Sequence, residues 1–150
     1  YGDAPLPQPF DEYVKMALYD AKYLTDIRGA YTILEDVKMD SKKYTLLAGG
    51  QELNLGKAVC NELKGAERLA FYVCTAGKTI SQKSASLLQS NDTVLGYVYD
   101  VLGSNITEAV GDRIQSFLKS ETEINGDQLT NLFTPGYSQW PVSVQQKLFS

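Results

Sequence analysis

Histidine is absent from this chain of 150 residues. That removes the Ser–His and Cys–His nucleophile systems, the commonest transition-metal ligand and the usual proton shuttle near neutral pH. Cysteine is scarce. Cys60 and Cys74 are too few for a disulfide framework, and neither stands in a metal-ligand spacing. Cys74 sits in the apolar run Leu69-Ala70-Phe71-Tyr72-Val73-Cys74, where a buried, inert thiol is expected. Positive charge is never concentrated: the longest basic run is Lys42-Lys43 and the net charge is -4. The chain therefore has no electrostatic footprint for nucleic acid or an anionic membrane, and neither is expected as a partner. No stretch approaches the roughly 20 apolar residues of a membrane span. The first residues, Tyr1-Gly2-Asp3-Ala4-Pro5-Leu6-Pro7, have neither a basic start nor an apolar core, so a cytoplasmic location is the default.

The common catalytic signatures are missing too. There is no Gly-x-Gly-x-x-Gly, P-loop, Gly-x-Ser-x-Gly or zinc spacing. Asp36 with Asp40, and Glu121 with Glu123, are neighbours only in sequence and read as solvated turn residues. A site in this chain is expected to bind, leaving the chemistry to a cofactor or a partner.

What is present describes an ordinary globular protein. Hydrophobic residues make up 43% and charged residues 21% of the chain, and its length suits one domain over residues 1–150 with a single core. Pro5, Pro7 and Pro9 predict an extended lead-in over residues 1–9. Asp11 is a candidate N-cap for a helix that ends before Gly29, with Phe10, Val14, Ala17, Leu18, Ala21 and Leu24 forming its apolar stripe. Ala30–Leu34 and Tyr44–Leu47 read as strands around a polar turn at residues 40–43. Gly49-Gly50 breaks the chain, and a short helix is expected from Lys57 to Leu63, with Gly65 beyond its end. The run from Glu67 to Thr75 predicts a central strand covered on both faces. Gly77 then reads as a strand-to-helix turn.

Helices are predicted over Thr79–Leu88 and from about Asp92 to Lys119, the second interrupted by Gly103-Ser104. Glycine inside a helix costs roughly 1 kcal/mol against alanine, so it weakens the helix there unless something must approach the backbone closely. Asn125-Gly126-Asp127 signals a turn. The segment Leu132 to Pro141 combines turn chemistry with three aromatics, and a last short helix is expected over Val142–Phe149. This mixture of elements predicts an α+β fold: a small, mainly antiparallel sheet packed with helices.

Three motifs, in order and at their separations, carry a family resemblance. They are Phe71-Tyr72-Val73-Cys74-Thr75-Ala76-Gly77; Gly96-Tyr97-Val98-Tyr99-Asp100-Val101-Leu102-Gly103-Ser104 followed by Glu108-Ala109; and Phe133-Thr134-Pro135-Gly136-Tyr137 with Trp140-Pro141. Together they resemble the S-adenosylmethionine-binding activation domain of cobalamin-dependent methionine synthase, and most of all its short, stand-alone versions. The resemblance spans about Ala30 to Phe149.

It implies a methionine synthase activation domain-like fold and a role as an accessory to methyl transfer. In the family the domain presents S-adenosylmethionine to cobalamin (vitamin B12) on a neighbouring domain. A flavodoxin-like reductant supplies the electron, and the cofactor does the difficult chemistry. The resemblance thus implies S-adenosylmethionine as ligand, cobalamin only on a corrinoid-binding partner, and no catalytic residue of the chain's own.

Glu108 matches a helix glutamate at the family's ligand site, where a carboxylate suits an ammonium or sulfonium. Read from its residues alone, it is a surface glutamate on a polar face. Pro135, Gly136 and Tyr137 match the turn whose backbone lines the adenosine end; the alternative is a rigid turn packing an aromatic onto the core. The chain departs from the family at Leu132, which stands where an arginine clamps the ligand's carboxylate, so a charge-assisted contact is lost. Family members also continue past the position matching Phe149 with a strand that completes the pocket. These departures leave a second reading open, a non-catalytic scaffold that has kept the fold and lost the ligand. A free-standing methyltransferase is disfavoured by the lack of a glycine-rich strand–helix turn and of a general base.

Overall fold

Asp11 and Glu12 lie in the first turn of helix α1 (Phe10–Leu24), where their charge complements the helix's positive end. Pro9, rather than the expected Asp11, is the residue before the first turn. Of the predicted stripe, Ala17 is buried and Val14, Ala21 and Leu24 are half-buried, whereas Phe10 and Leu18 face solvent. A computed structural model describes residues 8–137 and 139–148. Most of the proline-rich lead-in, and Phe149 of the last predicted helix, lie outside the described residues.

After α1 come strands β1 (Arg28–Leu34), β2 (Val37–Asp40), β3 (Thr45–Ala48) and β4 (Gln51–Asn54), then α2 (Gly56–Glu62), β5 (Leu69–Thr75), α3 (Lys78–Gln89) and α4 (Thr93–Ile124). A 3-10 turn at Val142–Val144 leads into the short α5 (Gln145–Leu148). The chain is α+β, with small sheets and helices packed on them. It divides into two compact units. The first takes the residues up to Ala30 together with Val73–Ile114; the second takes Tyr31–Tyr72 and the residues from Gln115 onward.

In the second unit β2, β3 and β4 form an antiparallel meander. Asp40 accepts hydrogen bonds from the Lys42 and Lys43 amides at 2.9 and 3.2 Å and so sets the first turn. Gly49-Gly50, both at positive φ, make the two-residue second turn. Alternation places Leu46, Ala48 and Leu53 on one face, and Leu46 pairs with Leu53 across the ladder. Onto that face pack Val59 and Cys60 of α2, with Leu55, Leu63, Trp140 and Val144.

The first unit has its own core: Ala17 of α1, Ala76, Ile80 of α3, and Leu95, Val98 and Tyr99 of α4. Ser84, the buried polar residue among them, donates to the Gly96 carbonyl at 2.9 Å. That contact needs Gly96. A Cβ there would stand 2.9 Å from Leu88 Cγ and 3.0 Å from the Leu88 backbone nitrogen.

Further sequence expectations need correction: Glu121 and Glu123 lie within α4 and not in a turn. β5 is not a central strand, because it belongs to a two-stranded sheet with β1 and its residues alternate between half-buried and exposed. α4 does not stop near Lys119 but runs 32 residues to Ile124, its polar end carrying the i,i+4 pair Lys119–Glu123 at 3.9 Å. Among the described residues, no helix is long and apolar enough to cross a membrane.

Candidate functional site

β5 ends at Thr75, and the next residues turn the chain into α3. The Gly77 amide donates to Thr75 Oγ1 at 3.0 Å, and the Asp26 amide donates to the Ala76 carbonyl at 2.9 Å. Gly77 has φ +90°, and a Cβ on it would meet the Asp26 nitrogen at 2.8 Å. A side chain is excluded there on both counts. This turn is one wall of a groove of about 360 Å³ that lies wholly in the first unit, at the small end of the ~300–1,000 Å³ usual for small-molecule sites.

The opposite wall is α4. Asp100, Gly103, Ser104, Thr107 and Glu108 line it at spacings of three, four, seven and eight from Asp100, one face of a helix. Gly103 is not held to glycine by a close approach: a Cβ there would make only ordinary contact with Ile80 Cγ2, at 3.5 Å. Ile80 and Ser81 close the groove from α3.

Tyr99 forms part of the floor. It is buried, and its hydroxyl donates to Asp20 Oδ2 at 2.6 Å. Burial first, and then the hydrogen bond to and charge of Asp20, push the phenol up to about 12. It therefore stays a neutral donor and is no general base at neutral pH. Thr107 Oγ1 donates to the Gly103 carbonyl at 2.9 Å, and the Thr107 carbonyl accepts from Cys74 Sγ at 3.4 Å. Cys74 is half-buried rather than buried as expected, and burial raises its thiol above the ordinary range. Among the described residues, no group of three or more carboxylates, cysteines and histidines could hold a metal ion. The groove offers hydroxyls, two carboxylates and an aromatic floor.

The structure therefore gathers two of the three sequence motifs, Thr75-Ala76-Gly77 and the Tyr99–Glu108 stretch, around one groove. Glu108 lies in its lining and is exposed to solvent. Pro135, Gly136 and Tyr137 belong to the second unit. There Tyr137 donates its amide to the Thr134 carbonyl at 3.0 Å, and the Gly136 amide donates to the Trp140 carbonyl at 2.7 Å. Pro135 is half-buried, Tyr137 is 52% exposed, and the Tyr137 ring meets that of Phe133 edge-on at 5.7 Å. Trp140, not Tyr137, anchors this segment in the core. Leu132 is half-buried.

Sequence reasoning did not single out Asp100, Ser81 or Thr107 as groove residues. The signal for two of them was the helical spacing between Asp100 and Glu108; Ser81 reaches the groove only because α3 folds against α4. No family model matches the chain, and no curated protein matches it.

Proposed function

We propose that the chain is an S-adenosylmethionine-binding accessory module. It would serve the reductive reactivation, by methylation, of a cobalamin-dependent methionine synthase (5-methyltetrahydrofolate–homocysteine methyltransferase) or another corrinoid methyltransferase. Cobalamin would sit on the partner, and a flavodoxin-like reductant would supply the electron. The observation that carries this reading is the groove of the first unit, where two separate motifs of the resemblance meet and Glu108 lies in the lining. Two carboxylates and an uncharged remainder favour a ligand bearing a sulfonium or ammonium. A chain without histidine leaves methyl transfer to the cofactor and contributes position.

The second reading, a degenerate scaffold without ligand, is favoured by Leu132. A leucine there forgoes a charge-assisted bond of about 1.5–3 kcal/mol, roughly one to two decades of affinity. Titration calorimetry with S-adenosylmethionine separates the two. The proposal expects saturable heat from the wild-type protein and at least a threefold loss of affinity in Glu108→Gln. No heat and no thermal shift at millimolar ligand would rule it out. Binding gained only in Leu132→Arg would establish the scaffold reading instead.

A further inference from the structure

We infer that Asn125-Gly126 is a latent modification site: Asn125 deamidates through a cyclic imide, and the hydrogen bonds that cap α4 hold this reaction back in the folded chain. Asparagine before glycine offers this reaction the least steric resistance, because glycine puts no side chain beside its own backbone nitrogen. No other asparagine of the chain precedes a glycine.

In the reaction the Gly126 backbone nitrogen loses its proton and attacks the side-chain carbonyl carbon of Asn125. A carbon–nitrogen bond forms there, the bond to the side-chain nitrogen breaks, and ammonia leaves carrying the proton. Water then opens the imide at either carbonyl, giving aspartate or isoaspartate. Nothing is oxidised or reduced, and water is the only co-reactant.

Both residues face solvent, and a Cβ on Gly126 would meet nothing within 4 Å. Open space is therefore not what restrains them. Gly126 adopts the left-handed conformation, φ +79°, that closes a helix. Its amide, the nucleophile, donates to the Glu123 carbonyl at 3.1 Å, and the Asp127 amide donates to the Thr122 carbonyl at 3.0 Å. The Asn125 side-chain nitrogen, the leaving group, donates to the Glu121 carbonyl at 3.0 Å. Nucleophile and leaving group are thus both held by α4 carbonyls, and attack requires those two bonds to open first. Arg68 pairs with Asp127 within the second unit and clamps the cap from outside the helix. The product adds a carboxylate at the negative end of α4, where charge of that sign is unfavourable, so modification leaves the last turn looser than before.

The test is to incubate the whole chain at mildly alkaline pH, folded and in urea, and to locate the product by peptide mass spectrometry. Product should arise first at Asn125 in both conditions and at least about tenfold more slowly in the folded chain, since only the opened cap reacts. Arg68→Gln should react about twofold faster when folded and at the wild-type rate in urea. Asn125→Gln should abolish the product at that position. Equal wild-type rates in the folded and unfolded chain would overturn the inference, as would product arising first at another asparagine. An Arg68→Gln rate equal to wild type in the folded chain would remove the ion pair from the restraint.

Discussion

Tyr99 shows how one side chain serves both core and site. Its ring is buried against Ile80 and Val98, and its hydroxyl is satisfied by Asp20 of α1. A buried hydroxyl without a partner costs about 1–3 kcal/mol, so Asp20 is part of what keeps α1 on α4. Tyr99→Phe removes the donor and leaves the Asp20 carboxylate half-buried without it. We expect a loss of about 1–3 kcal/mol in urea unfolding at pH 7. The pH dependence has a definite sign. The phenol rises from 10.0 to about 12 on folding, so its contribution is fully present below pH 10 and disappears as pH climbs from 10 through 12. The stability difference between wild type and Tyr99→Phe should therefore shrink across that window. A difference that stays constant from pH 9 to 12 would show that the Asp20 bond does not stabilise the fold.

Among the elements, α4 is the most informative, because two of its glycines answer opposite demands. At Gly96 a Cβ would press on the backbone of α3, whereas at Gly103 it would make ordinary contact with Ile80. Gly96→Ala should cost about 1–3 kcal/mol through overpacking, while Gly103→Ala should be neutral or gain up to about 1 kcal/mol from helix propensity. Thermal unfolding of the two variants decides it, and equal effects would contradict the packing described.

The same helix shows what the sequence reveals and what it conceals. Its apolar period was strong enough to predict a long helix, and Asp100, Gly103, Ser104, Thr107 and Glu108 could be placed on one face from spacing alone. β2 and β4 could not be read. Val37-Lys38-Met39-Asp40 carries two charges and Gln51-Glu52-Leu53-Asn54 a single apolar residue, so their strand character comes from pairing with β3 and not from their own propensity. β5 misled in the other direction: a continuous apolar run looks the same whether a strand is central or lies in a two-stranded sheet with part of each face in solvent.

For the molecule as a whole, chain order conceals how the pieces assemble. The path enters the first unit, leaves it for the β-meander and α2, and returns through β5, α3 and α4. That return brings residues 75–81 against residues 99–108. The motif Phe133–Tyr137 belongs to the second unit, where Trp140 fixes it to the core beside Val59 and Val144. The central claim is that the first unit's groove holds S-adenosylmethionine. Its most direct test is amide chemical-shift mapping on isotopically labelled protein titrated with that ligand. The account predicts saturable shifts concentrated in residues 75–81 and 99–108, and their loss in Glu108→Gln. Groove amides that stay unmoved at millimolar ligand would contradict it.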